Sequence, residues 1–262
     1  MKTPYILIVI PFKGQIDLTI ECLMSLRHSY ISNFYYSIIM WDDGSSIDDL
    51  NKLYYNRVFN ELMIVRNEHV GYTQAVYNAF QFAKNNNSCD YILLCNNDIV
   101  FKTNTLFSLN ARMTSNPNIA AVGCKVLKYG SDVILHTGTR IKNNEIEDPY
   151  VGLQENDPKT NFVERRLWVN GCCSLYNAHI LRKENLNFNL DFKECYFEEA
   201  DLMSQFNLLG YSVLYEPRAK VEHVMNATHS KEREKYEKIF WGNWNKYLTK
   251  WKPYFNSKSL QF

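Results

Sequence analysis

The chain has 262 residues, 46% of them hydrophobic and 22% charged, with a formal net charge of +1. That length fits one large α/β domain or two small ones, and the apolar content fills a sizeable core, which excludes a disordered chain. The near-neutral charge lacks the basic excess of nucleic-acid binders and excludes nucleic acid as a partner. Aromatic residues make up 15%; carbohydrate sites use aromatic faces, but large cores use more of them. The seven cysteines (Cys22, Cys89, Cys95, Cys124, Cys172, Cys173 and Cys195) are odd in number and lack CxxC spacing. They argue against a disulfide framework or zinc site and for a reducing, cytoplasmic compartment.

Residues 5–10 are a continuous apolar run ended by Pro11. It is too short to span a bilayer and no small-residue cleavage site follows, so it is predicted as a buried parallel strand rather than a signal peptide. Helical spacing follows over 16–26, then a second strand over 36–41 that ends at Asp42-Asp43-Gly44-Ser45-Ser46. Ser46 suits the cap of a helix running from 47 to about 58, with Asp48 and Asp49 in its first turn. A third strand is expected over 62–65, a helix after Gly71 carrying Val76, Phe80 and Ala83 on one face, and a fourth strand over 91–94 before Cys95-Asn96-Asn97-Asp98. This alternation implies a mostly parallel sheet with right-handed crossovers, with ligands beyond the carboxyl ends of its strands.

After residue 115 the pattern changes. Strands are predicted over 119–127 and 133–141, and the polar stretch 142–161 as a long loop able to act as a mobile lid. A helix is expected over 198–209 with Gly210 as its stop, then a strand over 211–215 before Pro217. The C-terminal segment mixes Phe240, Trp241, Trp244, Tyr247, Trp251, Tyr254 and Phe255 with Lys246, Lys250, Lys252 and Lys258, and has no acidic residue after Glu237. Two readings stand for it: a helix packed on the domain, or one that also lies on an anionic membrane surface.

Three clusters carry chemistry. Asp98 stands at a strand end, where a carboxylate can hold Mg²⁺ or Mn²⁺ together with phosphate oxygens; taken alone, Asn-Asn-Asp is equally a polar turn. Asp42 or Asp43 can accept hydrogen bonds from a base or ribose, and Gly44 permits close approach. Glu198, Glu199 and Asp201 suit a helix N-terminus, and crowded carboxylates raise one another's proton affinity, which suits a general base acting on a hydroxyl. His223 with a carboxylate is a reasonable Mn²⁺ set.

In order and placement these segments resemble the family 2 inverting glycosyltransferases of the GT-A fold, over roughly residues 4–225, and most closely their rhamnosyl- and galactofuranosyltransferase-like members. Ile8-Val9-Ile10-Pro11-Phe12 is similar to the opening strand and nucleotide-contacting turn, and Trp41-Asp42-Asp43-Gly44-Ser45 to the base- and ribose-binding motif. Asn67, Gly71 and Asn78 match the Asn-x3-Gly-x6-Asn pattern, and Leu93-Leu94-Cys95-Asn96-Asn97-Asp98 resembles the metal motif in its Asn-Asn-Asp form. Trp168-Val169-Asn170-Gly171 is similar to the acceptor-side Trp-x-x-Gly segment. Glu198-Glu199-Ala200-Asp201, Gly210-Tyr211, Pro217, Ala219 and His223 match the closing block.

The resemblance implies an α/β GT-A fold with a mixed central sheet. Its nucleotide-sugar half would cover 1–115 and its acceptor half 116–225, followed by an aromatic and basic helical extension over 226–262. It implies Pro11, Phe12, Asp42, Asp43, Asn67, Gly71, Asn78, Asn96 and Asn97 at the nucleotide-sugar, and Trp168 and Gly171 near the donor or acceptor sugar. Asp98 and His223 would hold Mn²⁺ or Mg²⁺. Glu199 would be the catalytic base, with Glu198 or Asp201 as alternative or support. The donor would be a UDP- or dTDP-sugar and the acceptor a glycan or lipid-linked glycan of a surface polysaccharide. The chain departs from the pattern at Asn96 and Glu199, each usually Asp, and at Gln205, often Arg. Those departures keep open a catalytically inactive sugar-nucleotide-binding subunit. A sugar nucleotidyltransferase fits less well, because 11–16 lacks a Gly-rich basic loop.

Overall fold

The computed structural model describes residues 3–29, 33–56, 58–59, 62–224, 233–257 and 260. Its first half follows the predicted alternation: β1 (Tyr5–Phe12), α1 (Ile16–His28), β2 (Tyr35–Asp43), α2 (Ile47–Asn56), β3 (Leu62–Asn67), α3 (Tyr72–Lys84) and β4 (Tyr91–Cys95). The strands stand in the order β4-β1-β2-β3, all parallel. Alternate β1 side chains serve opposite faces. Ile6, Ile8 and Ile10 pack with Cys22, Leu23 and Leu26 of α1, while Leu7 and Val9 pack with Val76, Ala79 and Phe80 of α3. Covered on both sides, β1 must be apolar throughout. At α2, the Ser46 hydroxyl accepts from the Asp49 N–H at 3.1 Å and the Asp49 carboxylate accepts from the Ser46 N–H at 3.3 Å, a reciprocal cap.

The chain continues through β5 (Ile99–Phe101), α4 (Thr105–Thr114), β6 (Ile119–Lys128), β7 (Ile134–His136), β8 (Arg140–Lys142), β9 (Glu145–Glu147), β10 (Glu164–Arg165), β11 (Cys173–Asn177) and α5 (Ala178–Lys183). It then forms α6 (Glu198–Leu208), β12 (Ser212–His223) and α7 (Arg233–Trp251). β11 pairs antiparallel with both β4 and β6, so a single mixed sheet in the order β10-β12-β6-β11-β4-β1-β2-β3 joins the two halves.

Three expectations need correction. The strand predicted over 133–141 breaks into β7 and β8 at Gly138, whose φ of 88° and close approach to Arg166 admit no side chain. The strand predicted to stop before Pro217 runs on to His223. The register shift between Glu216 and Lys220 accommodates the proline as a bulge. The stretch 142–161 is a fixed segment rather than a lid. The ammonium of buried Lys125 donates to Glu155 O, Thr160 Oγ1 and Asn161 Oδ1, and Thr137 Oγ1 donates to Pro149 O. No residue of 142–161 lines the cleft described below.

α7 packs on α6. Tyr247 and Trp251 are buried, and Trp251 Nε1 donates to Asp201 Oδ1 at 2.7 Å. The expected boundary at 225/226 and Lys258 lie outside the described residues. Among the described residues no helix is long and apolar enough to cross a membrane.

Candidate active site

A cleft of about 1360 Å³ opens beyond the carboxyl ends of β1, β2 and β4, where the order of a parallel sheet leaves a crevice. The end of β1 and the turn after it supply Pro11, Phe12, Lys13, Gly14 and Gln15, and the end of β2 and the turn after it supply Asp43, Gly44 and Ser45. The turn after β4 brings Asn96, Asn97 and Asp98, β12 brings His223, and the start of α6 brings Glu198 and Glu199. Residues far apart in sequence meet here because β12 ends beside β5, with His223 paired to Ile99.

His223 Nε2 and Asp98 Oδ1 stand 3.1 Å apart at the cleft wall. Both are good ligands for a hard divalent cation, and their closeness would let one ion replace the proton they share. Among the described residues no group of three or more His, Cys, Asp or Glu side chains could hold a metal by itself. The remaining positions therefore suit phosphate oxygens and water, the usual mode for Mg²⁺ at phosphate sites. Six carboxylates line the cleft (Asp43, Asp49, Asp98, Glu194, Glu198 and Glu199) against two lysines, Lys13 and Lys235. An anionic ligand here needs added positive charge.

Glu198 and Glu199 lie side by side, each with a buried Oε2 that has no described partner. Burial pushes the Glu198 carboxyl well above the usual range, and the neighbouring Glu199 adds to the effect. Burial also raises Glu199, while backbone N–H groups at Glu199, Ala200 and Gly171 pull it down. A methyl group on Gly171 would stand 3.2 Å from the Glu199 carboxylate, so the glycine makes the room the carboxylate occupies.

The structure does not bring every predicted residue to the cleft. Asp42 turns away; its Oδ1 accepts from the Ser45 N–H at 2.8 Å and closes the turn. Asp43 faces the cleft but is held by the Val70 and Gly71 N–H groups and by His69 Nδ1. Asn67 ends β3 with its Nδ2 buried and unpartnered among described residues, and Asn78 accepts from Gln74 on the flank of α3. Neither lines the cleft. Trp168 is 7% exposed and stacks edge-on against Tyr247 and Phe197, so it is a core residue. Asp201 is wholly buried on the far side of α6, held by Lys250, Trp251 and Gln205, and is not a cleft carboxylate. Asn97 lines the cleft with its amide donating to Thr19 Oγ1 at 2.9 Å.

Several cleft residues carry no motif in the sequence. His69 reaches it from the loop after β3 and His136 from the end of β7, with Nδ1 of His136 accepting from the Gly138 N–H at 2.9 Å. Tyr72, at the first turn of α3, donates its hydroxyl to Asn96 Oδ1 at 3.0 Å. Its place directly after Gly71 was the available signal.

The sequence model of glycosyl transferase family 2 matches residues 7–184. The chain belongs to this family. Similarity to solved structures agrees on the fold. GalNAc-T7 with UDP, GalNAc and Mn²⁺ superposes with a TM-score of 0.68 at 15% identity, covering 98% of this chain and 52% of that one. The mannosyltransferase PcManGT from Pyrobaculum calidifontis, in complex with GDP-Man and Mn²⁺, gives 0.66 at 13% identity, covering 99% and 72%. The chain thus spans about half the length of the first of these. No curated protein sequence matches it.

Proposed function

We propose that this protein transfers a sugar from a nucleoside-diphosphate sugar to a hydroxyl of a glycan or lipid-linked glycan in surface polysaccharide synthesis, with inversion. The observation that carries the proposal is the meeting, in one cleft, of the Asp98–His223 pair with the Glu199 carboxylate. The nucleoside lies across the strand ends, bordered by Pro11, Phe12, Asp43 and Gly71, with Asn96 and Asn97 towards the diphosphate. Asp98 and His223 hold Mn²⁺ or Mg²⁺, which when bound supplies positive charge to the leaving diphosphate. Glu199 takes the proton of the acceptor hydroxyl as its oxygen bonds to the anomeric carbon and the bond to the diphosphate breaks on the opposite face. A single displacement inverts the centre. Burial makes Glu199 a stronger base than an exposed carboxylate, as the role needs. The UDP and GDP-Man complexes of the similar structures, both with Mn²⁺, support a nucleotide-sugar donor and a metal here.

The test is nucleotide release from UDP-, dTDP- and GDP-sugars with Mn²⁺, with Mg²⁺ and with a chelator, in the presence of glycan acceptors. Release of one nucleotide that stops with the chelator is expected. Silence across the panel would turn the reading towards an inactive binding subunit.

The same proposal places α7 against an anionic cytoplasmic membrane face. Trp241 is 59% exposed on α7, with Lys238 exposed three residues before it on the same helix face. Co-sedimentation with phosphatidylglycerol vesicles is expected for the wild type and lost in Trp241→Ala; equal pelleting of both would remove this contact.

A further inference from the structure

Most of the polar groups of Asn96 are already occupied. Its N–H donates to Cys172 O at 2.9 Å, its carbonyl accepts from Cys22 Sγ at 3.6 Å, and its Oδ1 accepts from the Tyr72 hydroxyl at 3.0 Å. No described residue accepts from Nδ2, and Asn96 lines the cleft two positions before Asp98. The orientation of an amide is set by the hydrogen bonds its two ends make. With Oδ1 held against Tyr72, the two N–H donors of Nδ2 are left for a ligand.

We infer that Tyr72 is a positioning residue for the donor: its hydroxyl fixes the Asn96 amide so that Nδ2 meets an acceptor oxygen on the ribose or diphosphate of the nucleotide. The inference rests on the donor proposed above. Its physical sense lies in the charge of the cleft. Six carboxylates already line it, and an amide turned the other way would set one more oxygen against the oxygens of the nucleotide. A phenylalanine at 72 would keep the ring and its packing but let the amide turn through half a revolution. A tyrosine hydroxyl can also accept, but with the amide turned the other way its own proton would have no acceptor among the described residues, so the observed orientation is the one that satisfies the hydroxyl hydrogen.

The experiment is calorimetric titration of UDP, dTDP and GDP, with Mn²⁺, into the wild type, Tyr72→Phe, Asn96→Ala and the double variant. Tyr72→Phe is expected to weaken the best-bound nucleotide about five- to tenfold, the scale of one hydrogen bond, with the thermal unfolding temperature kept. In the Asn96→Ala background the same change should cost nothing further, because Tyr72 acts through the amide. A merely structural tyrosine would cost the same in both backgrounds. That result, or full affinity in Tyr72→Phe, overturns the inference. Repeating the titration with the 2′,3′-dideoxy nucleoside diphosphate separates the two acceptors. A penalty that vanishes assigns the contact to the ribose hydroxyls, and one that persists assigns it to the diphosphate. A wild type that binds none of the three nucleotides overturns the donor proposal itself, and the inference with it.

Discussion

Glu198 and Glu199 are neighbours in sequence, but the cleft treats them differently. Glu198 is 5% exposed and its proton affinity is raised the more strongly. A carboxyl whose folded pKa lies above its unfolded value contributes stability below the unfolded pKa and loses it as pH rises through the folded one. Glu198→Gln should therefore raise the unfolding temperature at neutral pH, by more at higher pH, which a thermal melt series across pH checks. Glu199 is the proposed base. Glu199→Gln should lower transfer by about 10²–10⁴-fold, the usual worth of a general base, while nucleotide binding by calorimetry is kept. In the wild type the acid limb of the transfer rate should lie above the ordinary carboxylate range, since the base must be ionised. Gly171→Ala sets a methyl group 3.2 Å from that carboxylate. A shift of a few tenths of an ångström should cut transfer about tenfold, less than the roughly hundredfold that about 1 Å can cost. Steady-state rates at saturating donor measure it.

At the scale of elements, the helix period explains why Asp201 does not face the cleft. Positions 199 and 201 lie about 200° apart on α6, so a helix that shows one to the cleft buries the other. Asp201 instead receives Trp251 Nε1 at 2.7 Å and Lys250 Nζ at 2.9 Å from α7. Asp201→Ala leaves the buried indole N–H unpaired and should cost about 1–3 kcal/mol of stability, read from urea unfolding. The same period accounts for the aromatic residues of α7. Asn243, Tyr247 and Trp251 fall at successive i+4 positions and form the buried face. Of the seven aromatic residues that suggested a membrane surface, Tyr247, Trp251 and Phe255 are core, Trp244 is half-buried, and Phe240, Trp241 and Tyr254 remain exposed, Trp241 the most.

Across the whole molecule, the proposed metal pair joins the two halves of one sheet. Asp98 follows β4 of the parallel half, and His223 ends β12 of the mixed half, 125 residues later. Asp98→Ala should weaken nucleotide binding in Mn²⁺ and leave the weaker metal-free binding unchanged, by calorimetry with and without chelator. An unchanged affinity in Mn²⁺ would remove Asp98 from the pair.

The sequence by itself determined the alternation of strands and helices in the first half, because apolar runs covered on both faces and helices with one apolar stripe have distinct periods. It also placed Asp98 and Glu199 at element ends, where ligands bind, whereas the strand predicted before Pro217 stops at 215, and only its continuation past the bulge makes His223 a strand end. It could not choose between Asp42 and Asp43. Successive residues of a strand face opposite sides, and only the pairing of β2 with β1 and β3 decides which side is the cleft. The fixed segment 142–161 was equally illegible, because its stability comes from a lysine of β6 outside it. The resemblance of its Trp-x-x-Gly segment set Trp168 near the sugar, whereas its ring points into the core against Phe197 and Tyr247. Tyr72 became visible only once the turn after β4 was seen to lie against the start of α3. Periodicity and end signals are local and survive in one dimension; the direction in which a side chain points at a junction is set by the packing of elements distant in the chain.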